Sequence, residues 1–253
     1  MRLAQTGTGR PLLLLHGAGV AGWMWRPVIE RLSGQARVLV PDLPGHGGTA
    51  EQPYRSHRDT LDELIRLLAD RTPAGAVVVG FSLGGQLAIL LAAARPDLVR
   101  GVGVISAQTL RLPLPRFSLA VVAASAPLAR RAWFARLQGR QLGVPDELLA
   151  DYLRDSAVVS RETLVASVRE NLGFRLPAGW SAYPGPAAVL AGAGERPVML
   201  DSARASHAAL PGSTLRLVPD CAHDLPWRRP ALIAEQCREL LVRGGEPGDP
   251  AAE

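Results

Sequence analysis

The chain has 253 residues and a formal net charge of +5, with 47% hydrophobic and 5% aromatic residues. Its 28 basic residues are all arginine, which excludes Schiff-base catalysis, a phosphate-binding loop lysine and any lysine acid or base. The arginines form no basic block, so nucleic acid is not an expected partner. Length and composition together indicate a soluble globular domain with room for an inserted subdomain.

Cysteine content and the N-terminal residues set expectations for cofactors and location. Cys221 and Cys237 are expected to be reduced, and no Cys-x-x-Cys or His/Cys cluster suggests a metal site. Residues 1–7 lack the apolar core of a signal peptide, and residues 12–15 are too short to span a membrane. We therefore expect a cytoplasmic protein with no metal, no cofactor and no stable membrane insertion.

Short apolar runs alternate with helical stretches along most of the chain. In chain order, the predicted strands are residues 12–15, 37–40, 76–79, 102–105, 187–191 and 215–218. The predicted helices are residues 27–33, 60–71, 86–95, 198–210 and 230–243. This alternation predicts an α/β fold built on a doubly wound, mostly parallel sheet.

The alternation is interrupted between residues 107 and 183. This stretch has no convincing strand, but it has helical patterns at residues 119–138, 145–154 and 161–172. We predict that residues 107–183 form a helical cap inserted into a core of residues 1–106 and 184–243. The Gly-, Pro- and acid-rich residues 244–253 are predicted to form a disordered tail.

A glycine-rich loop, His16-Gly17-Ala18-Gly19, follows the first predicted strand. Such a loop can bend so that a backbone N–H faces a neighbouring strand end, where it can donate to an oxyanion. The second predicted strand runs into Pro-Asp-Leu-Pro-Gly-His-Gly at residues 41–47.

The most informative motif is Gly-Phe-Ser-Leu-Gly-Gly at residues 80–85, between a buried apolar strand and a Leu/Ala-rich helix. Strand, G-x-S-x-G and helix in this order are typical of a nucleophile elbow, a sharp turn that exposes Ser82 Oγ in a strained conformation. A Cβ at Gly80 or Gly84 would clash in so tight a turn. The Leu83 N–H, at the start of the helix, is free to bind an oxyanion.

These three segments resemble the α/β-hydrolase family, in particular its cap-bearing members related to proline aminopeptidases, haloperoxidases and C–C hydrolases. The resemblance extends from about residue 9 to residue 242, except for the cap. It implies that Ser82 is the nucleophile and that the backbone N–H groups of Leu83 and Ala18 form the oxyanion hole.

The resemblance also implies that His223 is the catalytic base, because Val-Pro-Asp-Cys-Ala-His at residues 218–223 matches the family's closing motif. His16 and His46 belong to family loop motifs with structural roles. His57 and His207 fall in polar stretches that we expect to be exposed.

The triad acid can be placed in two ways. Counted from Pro186, the strand ends at Gly192 and Glu195 takes the acid position; counted from Gly194, a proline falls there and no acid remains. Glu195 precedes His223 by 28 residues, which fits one helix, one strand and two loops, so it is assigned as the acid. The alternative is a surface glutamate that pairs with the neighbouring arginine.

Three other carboxylates are near the motifs. Asp42 precedes the histidine in the wrong part of the chain order, and it is expected to hold a turn. Asp220 and Asp224 flank His223 too closely in sequence to reach its ring.

The predicted reaction is hydrolysis of a carboxylic ester through a Ser-His-Glu triad and an acyl-enzyme intermediate. The partner is then a small-molecule acyl substrate, whose pocket is predicted to involve Gly17, Gly19, Trp25 and Trp227. Thioester, lactone, amide and C–C bonds stay open as alternatives, as does a haloperoxidase side activity. A non-hydrolytic or very slow ligand-binding protein is a further alternative. The cap arginines 130, 131, 136 and 140 have two interpretations, a site for an acidic substrate and a solvated helix face, of which the second is favoured.

Overall fold

The structure is a computed structural model that describes residues 1–245, apart from residue 33, residues 112–120 and residues 122, 125 and 127. Over this part of the chain, one sheet contains β1 (Arg2–Thr6), β2 (Arg10–Leu15), β3 (Ala36–Asp42), β4 (Ala76–Phe81), β5 (Val99–Ile105), β6 (Ala187–Gly192) and β7 (Thr214–Val218). The spatial order is β1-β3-β2-β4-β5-β6-β7. β1 is antiparallel to β3, and the other pairs are parallel. The predicted doubly wound, mostly parallel α/β fold is confirmed.

Helices connect the strands and cover the sheet. They are α1 (Arg26–Ile29), α2 (His57–Arg71), α3 (Leu83–Ala94), α4 (Ala132–Gln141), α5 (Asp146–Val158), α6 (Arg161–Gly173), α7 (Pro197–Ala209), α8 (Leu225–Arg228) and α9 (Pro230–Arg243). Short 3₁₀ turns lie at Gly22–Trp25, Glu30–Leu32, Gly47–Thr49 and Ala178–Trp180. Within the described residues, none of the helices combines the length and apolarity needed to cross a membrane.

The sheet is buried on both of its faces. Leu12 and Leu14 of β2 pack in one hydrophobic cluster, whereas Leu13 and Leu15 pack in a second cluster on the opposite side. Side chains alternate across a strand, so the continuous run of leucines predicts a strand covered by helices on each face.

Strand β4 lies at the centre of the sheet, between β2 and β5. All six of its residues are buried, as expected for a run of small and β-branched side chains. Parallel strands end at the same edge of the sheet, so the loops that follow β2, β4, β6 and β7 meet there. Those loops carry Ala18, Ser82, Glu195 and His223.

Strand β1 and the start of α3 differ from the sequence predictions. β1 is almost wholly exposed and has no apolar run, so its sequence gives little sign of a strand. Antiparallel pairing with β3, from Arg2 opposite Asp42 to Thr6 opposite Val38, holds it at the edge. α3 begins at Leu83, three residues earlier than predicted, because the helix starts directly after the elbow.

Between β5 and β6 the described residues contain helices and no strand, as predicted. Helices α5 and α6 match the predicted helices 145–154 and 161–172, and α4 overlaps the predicted helix 119–138 from residue 132 onward. Residues 119, 120, 122, 125 and 127 of that helix lie outside the described residues, as do residues 246–253 of the predicted tail. The division into core and cap stays a prediction.

Candidate active site

Ser82 occupies the turn between β4 and α3 in a conformation that non-glycine residues rarely adopt. Its φ is 54° and its ψ is −115°. Its N–H donates to the Ile105 carbonyl of β5 over 2.8 Å, which holds the strained residue against the neighbouring strand. This sharp turn places the side chain of Ser82 at the edge of the sheet, beside the N-terminus of α3.

Two glycines make this turn possible. A Cβ at Gly80 would meet the backbone of Gly84 across the turn. A Cβ at Gly84 would meet the carbonyls of Leu15 and His16 at the end of β2. The turn therefore needs glycine at both positions, at Gly80 for closure of the turn itself and at Gly84 for its packing against β2.

His223 lies in the turn after β7 and faces Ser82. Its Nε2 is 3.3 Å from Ser82 Oγ, within hydrogen-bond reach. The His223 ring packs against Phe81, with ring centroids 4.8 Å apart. Phe81 in turn contacts Trp227 at 5.8 Å. The His223 side chain is 37% exposed, so one side of the ring is open to solvent while the other rests on an aromatic surface.

Glu195 lies on the opposite side of the His223 ring from Ser82. Nδ1 of His223 is 3.2 Å from Glu195 Oε2, and the glutamate side chain is only 1% exposed. Oε1 of Glu195 has no hydrogen-bond partner among the described residues. The alternative of a surface glutamate is therefore wrong, because the carboxylate is buried and lies within hydrogen-bond distance of His223. This hydrogen bond selects the His223 tautomer whose Nε2 can accept from Ser82.

The turns that carry Glu195 and His223 are hydrogen-bonded to each other. The N–H of Ala193 donates to the Val218 carbonyl over 2.8 Å, and the N–H of Gly194 donates to the Cys221 carbonyl over 2.8 Å. A Cβ at Gly192 would lie 2.5 Å from the Cys221 carbonyl oxygen, so this close approach requires glycine. Backbone contacts thus set the separation of the two side chains.

Leu83 and Ala18 are the residues whose backbone N–H groups are predicted to form an oxyanion hole. Leu83 is the first residue of α3, so its N–H has no acceptor within the helix. Ala18 lies in the loop after β2, next to Gly17, where a Cβ would come within 3.4 Å of Ser82 Cβ. The loop after β2 is therefore packed directly against the elbow.

His16 ties this loop to the loop after β3. Its Nδ1–H donates to the Gly17 carbonyl over 2.8 Å, and its Nε2 accepts from the Leu43 N–H over 2.9 Å. Burial lowers the pKa of His16 to about 4. His46 packs against it, with ring centroids 5.2 Å apart, and burial lowers the pKa of His46 to about 3. Both histidines are therefore neutral structural groups near pH 7.

The other two histidines, His57 and His207, were both predicted to be exposed, but they differ in burial. His57 is 6% exposed, so the prediction that it is exposed is wrong. It is enclosed because Tyr54, Gln86 and Phe174 pack around its ring. His207 is half-buried, with Nδ1 at 2.9 Å from Ser213 Oγ.

The acidic residues near the motifs have structural partners. Asp42 accepts from the N–H of Gly22 over 2.9 Å through Oδ1 and from the N–H of Gly48 over 2.8 Å through Oδ2. It therefore holds a turn, as predicted. Asp224 accepts from the Ala222 N–H over 2.8 Å, which supports the turn that carries His223.

A cavity of about 240 Å³ begins at the loop after β2 and continues under the helices between β5 and β6. The described residues that line it are Ala18, Gly19, Ala126, Ala129, Phe134, Gln138, Leu142, Tyr152, Ser156, Val159, Leu164, Ser167 and Val168. None of them is charged, so the cavity suits an uncharged, largely apolar group.

The four residues predicted for the acyl pocket differ in where they lie relative to this cavity. Gly19 lines it, and Gly17 lies beside Ser82. Trp25 is 0% exposed and belongs to the hydrophobic core, so its assignment to the pocket is corrected. A large aromatic side chain in a short helical turn under the sheet is packed by its neighbours and is not available to a ligand. Trp227 is 7% exposed and contacts Phe81, which packs against His223.

A larger cleft of about 930 Å³ lies elsewhere, along β1 and β3, and shares no described lining residue with the smaller cavity. At its border Trp23 Nε1 donates to Asp155 Oδ2 over 2.6 Å, which joins the loop after β2 to α5. Burial raises the pKa of Asp155. Neither the cleft nor the smaller cavity has Ser82, Glu195 or His223 among its described lining residues. The smaller cavity is lined by Ala18, whose neighbour Gly17 lies against Ser82, so we place the candidate reaction beside the smaller cavity.

Cysteines and metal-ligating groups add no second centre in the described chain. Cys221 and Cys237 are free and buried, and burial raises the pKa of Cys237 to about 12, so that thiol stays protonated. Among the described residues, no three His, Cys, Asp or Glu side chains are grouped as a metal ion requires.

A central serine on a strained turn, hydrogen-bonded in series to a histidine and a buried glutamate, on a doubly wound sheet, defines the class of α/β-hydrolase-like proteins. The family model described as "Alpha/beta hydrolase family" matches residues 12–236. The chain therefore belongs to the alpha/beta hydrolase family.

Individual relatives cover different parts of the chain. A pimeloyl-[acyl-carrier protein] methyl ester esterase of Nitrosomonas europaea is 37% identical over 106 residues, 42% of this chain and 40% of that protein. The magnesium-chelatase 30 kDa subunit of Rhodobacter capsulatus is 31% identical over 232 residues, 83% of this chain and 79% of that protein. The chain thus spans less than half of the esterase's length in this match.

The fold is also found among solved structures. A thermophilic esterase from Thermogutta terrifontis superposes with a TM-score of 0.79 and 23% identity, over 97% of this chain and 94% of that one. Similarity at this level of identity supports the fold and leaves the chemistry to the site.

Proposed function

We propose that the protein is a serine hydrolase of carboxylic esters, with Ser82 as nucleophile, His223 as base and Glu195 as the acid that orients it. The observation that carries the proposal is the continuous hydrogen-bond series from Ser82 Oγ through both His223 ring nitrogens to a buried Glu195 carboxylate. A structural serine needs neither the strained φ of 54° nor such a series.

In the proposed mechanism, His223 Nε2 takes the proton from Ser82 Oγ as the oxygen attacks the ester carbonyl. The imidazolium is stabilised by the Glu195 carboxylate, which accepts from Nδ1–H. His223 then protonates the leaving alkoxide, and an acyl group remains on Ser82. A water molecule, deprotonated by His223, attacks the acyl-enzyme; the bond to Ser82 Oγ then breaks, His223 returns the proton to that oxygen, and the carboxylic acid is released.

The backbone N–H groups of Leu83 and Ala18 are proposed to stabilise the tetrahedral oxyanion. Leu83 contributes an N–H without an intrahelical partner at the positive end of α3. Ala18 lines the 240 Å³ cavity, and its neighbour Gly17 lies against Ser82, so we propose that an ester bound in the cavity presents its carbonyl to the elbow. The uncharged lining of the cavity favours a neutral acyl or alkyl chain.

The test is hydrolysis of a p-nitrophenyl ester series, from acetate to decanoate, by the wild-type protein and by Ser82→Ala. We expect turnover by the wild type and a loss of at least about 10⁴-fold in kcat/KM for the variant. Ser181→Ala is the matched control, because Ser181 is exposed and its hydroxyl donates to the Ala178 carbonyl three residues earlier. Turnover by Ser82→Ala at the wild-type rate would disprove the assignment of the nucleophile.

A second candidate is a non-hydrolytic member of the family. It is favoured by one observation: the relative with the longer alignment is named as a magnesium-chelatase subunit, not as a hydrolase. A fluorophosphonate probe separates the two candidates, because only an activated serine attacks it. Stoichiometric labelling of Ser82 supports the hydrolase, whereas an unlabelled protein that is folded supports the non-hydrolytic role.

The substrate is proposed to be linked to an acyl carrier protein, as the names of the esterase relatives state for those proteins. Arg130, Arg131, Arg136 and Arg140 are exposed near the cavity helices, where they can meet an acidic carrier. We expect the replacement of these arginines by serine to raise KM for a carrier-linked methyl ester and to leave KM for p-nitrophenyl acetate unchanged.

A further inference from the structure

A buried polar cluster lies between α6 and the helix that follows the nucleophile, and the proposed chemistry does not use it. Its centre is Gln86, a fully buried residue of α3, one helical turn beyond Ser82. A buried carboxamide without partners would cost a few kcal/mol, so each of its contacts is informative.

The carboxamide of Gln86 is saturated by partners from two helices and one loop. Its Nε2 lies 2.6 Å from the Gln108 carbonyl, 2.7 Å from Asn171 Oδ1 and 3.2 Å from the Asn171 carbonyl. Its Oε1 accepts from His57 Nε2–H over 2.8 Å. The orientation of the amide is fixed by these partners, because the reversed amide would point its oxygen at two other acceptors.

Through His57 and Tyr54, the cluster reaches from the end of α6 that carries Asn171 to its start at Thr163. The hydroxyl of Tyr54 donates to His57 Nδ1 over 2.7 Å, and the N–H of His57 donates to Glu170 Oε2 over 2.9 Å. Burial lowers the pKa of His57, although Glu170 opposes this effect, so the ring is a neutral link near pH 7. Thr163 at the start of α6 accepts from the Tyr54 N–H over 3.2 Å.

Helix α6 is also a wall of the 240 Å³ cavity, through Leu164, Ser167 and Val168. Asn171 is seven residues after Leu164, about two turns further along nearly the same face of the helix. The face that borders the cavity is therefore the face that Gln86 holds. The cavity is also lined by Ala18 and Gly19 of the loop after β2, so the position at which α6 is held against the core affects the size of the cavity.

We propose that Gln86 is a positioning residue that sets the size of the acyl pocket by holding α6 to α3 through Asn171. The proposal deepens the proposed function and rests on it for its kinetic test. Gln86 does not touch the reacting atoms. Its effect is on which acyl chains bind, and the effect on the bond-breaking step is small.

The test compares Asn171→Ala and Gln86→Met with Arg161→Ala over the p-nitrophenyl ester series. Arg161 is the matched control, since it is an exposed residue of the same helix. We expect Asn171→Ala to change KM for long-chain esters by about tenfold, with kcat for acetate within about twofold of wild type. Gln86→Met is expected to have the same pattern with a larger KM change, because it also removes the partner of His57.

Hydrogen exchange of the α6 backbone amides tests whether Gln86 holds α6 to α3, and this test does not depend on catalysis. Faster exchange in both variants, but not in Arg161→Ala, supports it. Wild-type exchange rates in Asn171→Ala and Gln86→Met would overturn the proposal, as would a parallel loss of kcat for acetate and decanoate. If the wild-type protein hydrolyses no ester, the proposed function fails on its own, and the exchange data still decide whether Gln86 holds α6.

Discussion

The N–H of Leu43 donates to Nε2 of His16 over 2.9 Å, and this bond joins the loop after β3 to the loop after β2. The same imidazole donates from Nδ1 to the Gly17 carbonyl. One neutral side chain thus fixes the backbone just before Ala18, the residue proposed to donate to the oxyanion. The role of His16 is to shape that loop, and it takes no part in proton transfer.

The first prediction is that His16→Ala loses both stability and activity. The variant leaves the buried N–H of Leu43 without an acceptor and opens a cavity, so we expect a loss of about 2–4 kcal/mol of unfolding free energy. We also expect a lower kcat for p-nitrophenyl acetate, since the loop that carries Ala18 loses its support. Urea unfolding and ester kinetics measure the two effects. His207→Ala, at a half-buried site remote from the loop, is the control; equal losses in both variants would contradict the assignment.

The second prediction concerns acid stability. The pKa of His16 is about 4 and that of His46 about 3 in the folded chain, against about 6.5 for unfolded histidine. Below pH 6.5 the unfolded chain therefore binds more protons than the folded one, and stability falls as the pH decreases toward 4. Each group contributes a slope of up to about 1.4 kcal/mol per pH unit in this window.

Urea midpoints at pH 7.5, 6, 5 and 4.5 measure this slope. His46→Phe removes one titrating group and is expected to flatten the curve, while its stability at pH 7.5 reports the packing change alone. A wild-type midpoint that stays constant from pH 7.5 to 4.5 would show that neither histidine is held neutral by the fold.

The third prediction uses the length of the acidic side chain. Glu195→Asp withdraws the carboxylate by one methylene from His223 Nδ1, which it now reaches at 3.2 Å. We expect kcat/KM to fall by about 10–100-fold in Glu195→Asp and by about 10³-fold in Glu195→Gln, where no charge opposes the imidazolium. The exposed Glu235→Gln serves as control. Wild-type activity in Glu195→Gln would mean that another group orients His223.

The fourth prediction is that Gly84→Ala disrupts the elbow. The new Cβ would meet the Leu15 and His16 carbonyls, so the start of α3 must move, and we expect a loss of more than about 3 kcal/mol of stability. Gly173→Ala is the matched substitution, because a Cβ placed there meets no described atom within 4 Å outside its own stretch of helix, and alanine favours a helix. Thermal unfolding of the two variants compares them directly; similar melting temperatures would refute the prediction.

Much of the sheet could be predicted because its strands are buried on both faces. Runs such as Leu12–Leu15 in β2 have no polar alternation. The runs at residues 37–40, 76–79, 187–191 and 215–218 are each followed by a glycine or a proline. β1 could not be found this way, because its five residues are mostly exposed and depend on pairing with β3. The local pattern of apolar residues indicates which strands are buried, so it gives no signal for an exposed edge strand such as β1.

The site shows the same division. The order of motifs predicted that Ser82, Glu195 and His223 would be neighbours, and their side chains lie within hydrogen-bond distance; their catalytic roles stay predictions. His57 was predicted to be exposed from the polar residues around it, and this was wrong because distant residues of α6 and α3 enclose it. Trp25 was assigned to the pocket because of its position after the glycine loop, which does not reveal that its ring points into the core.

The hydrogen bonds that hold the reacting side chains come, in the described chain, from the sheet and its turns, such as that from Ser82 to the Ile105 carbonyl. The helices between β5 and β6 join this core through buried apolar contacts and through side-chain hydrogen bonds, of which Trp23 to Asp155 and Gln86 to Asn171 are two. A replacement for these helices needs an acceptor for Trp23 and another for Gln86. The segment between β5 and β6 is contiguous in sequence. Selection or design could therefore exchange that one segment, keep the sheet and its turns, and so change which substrates bind.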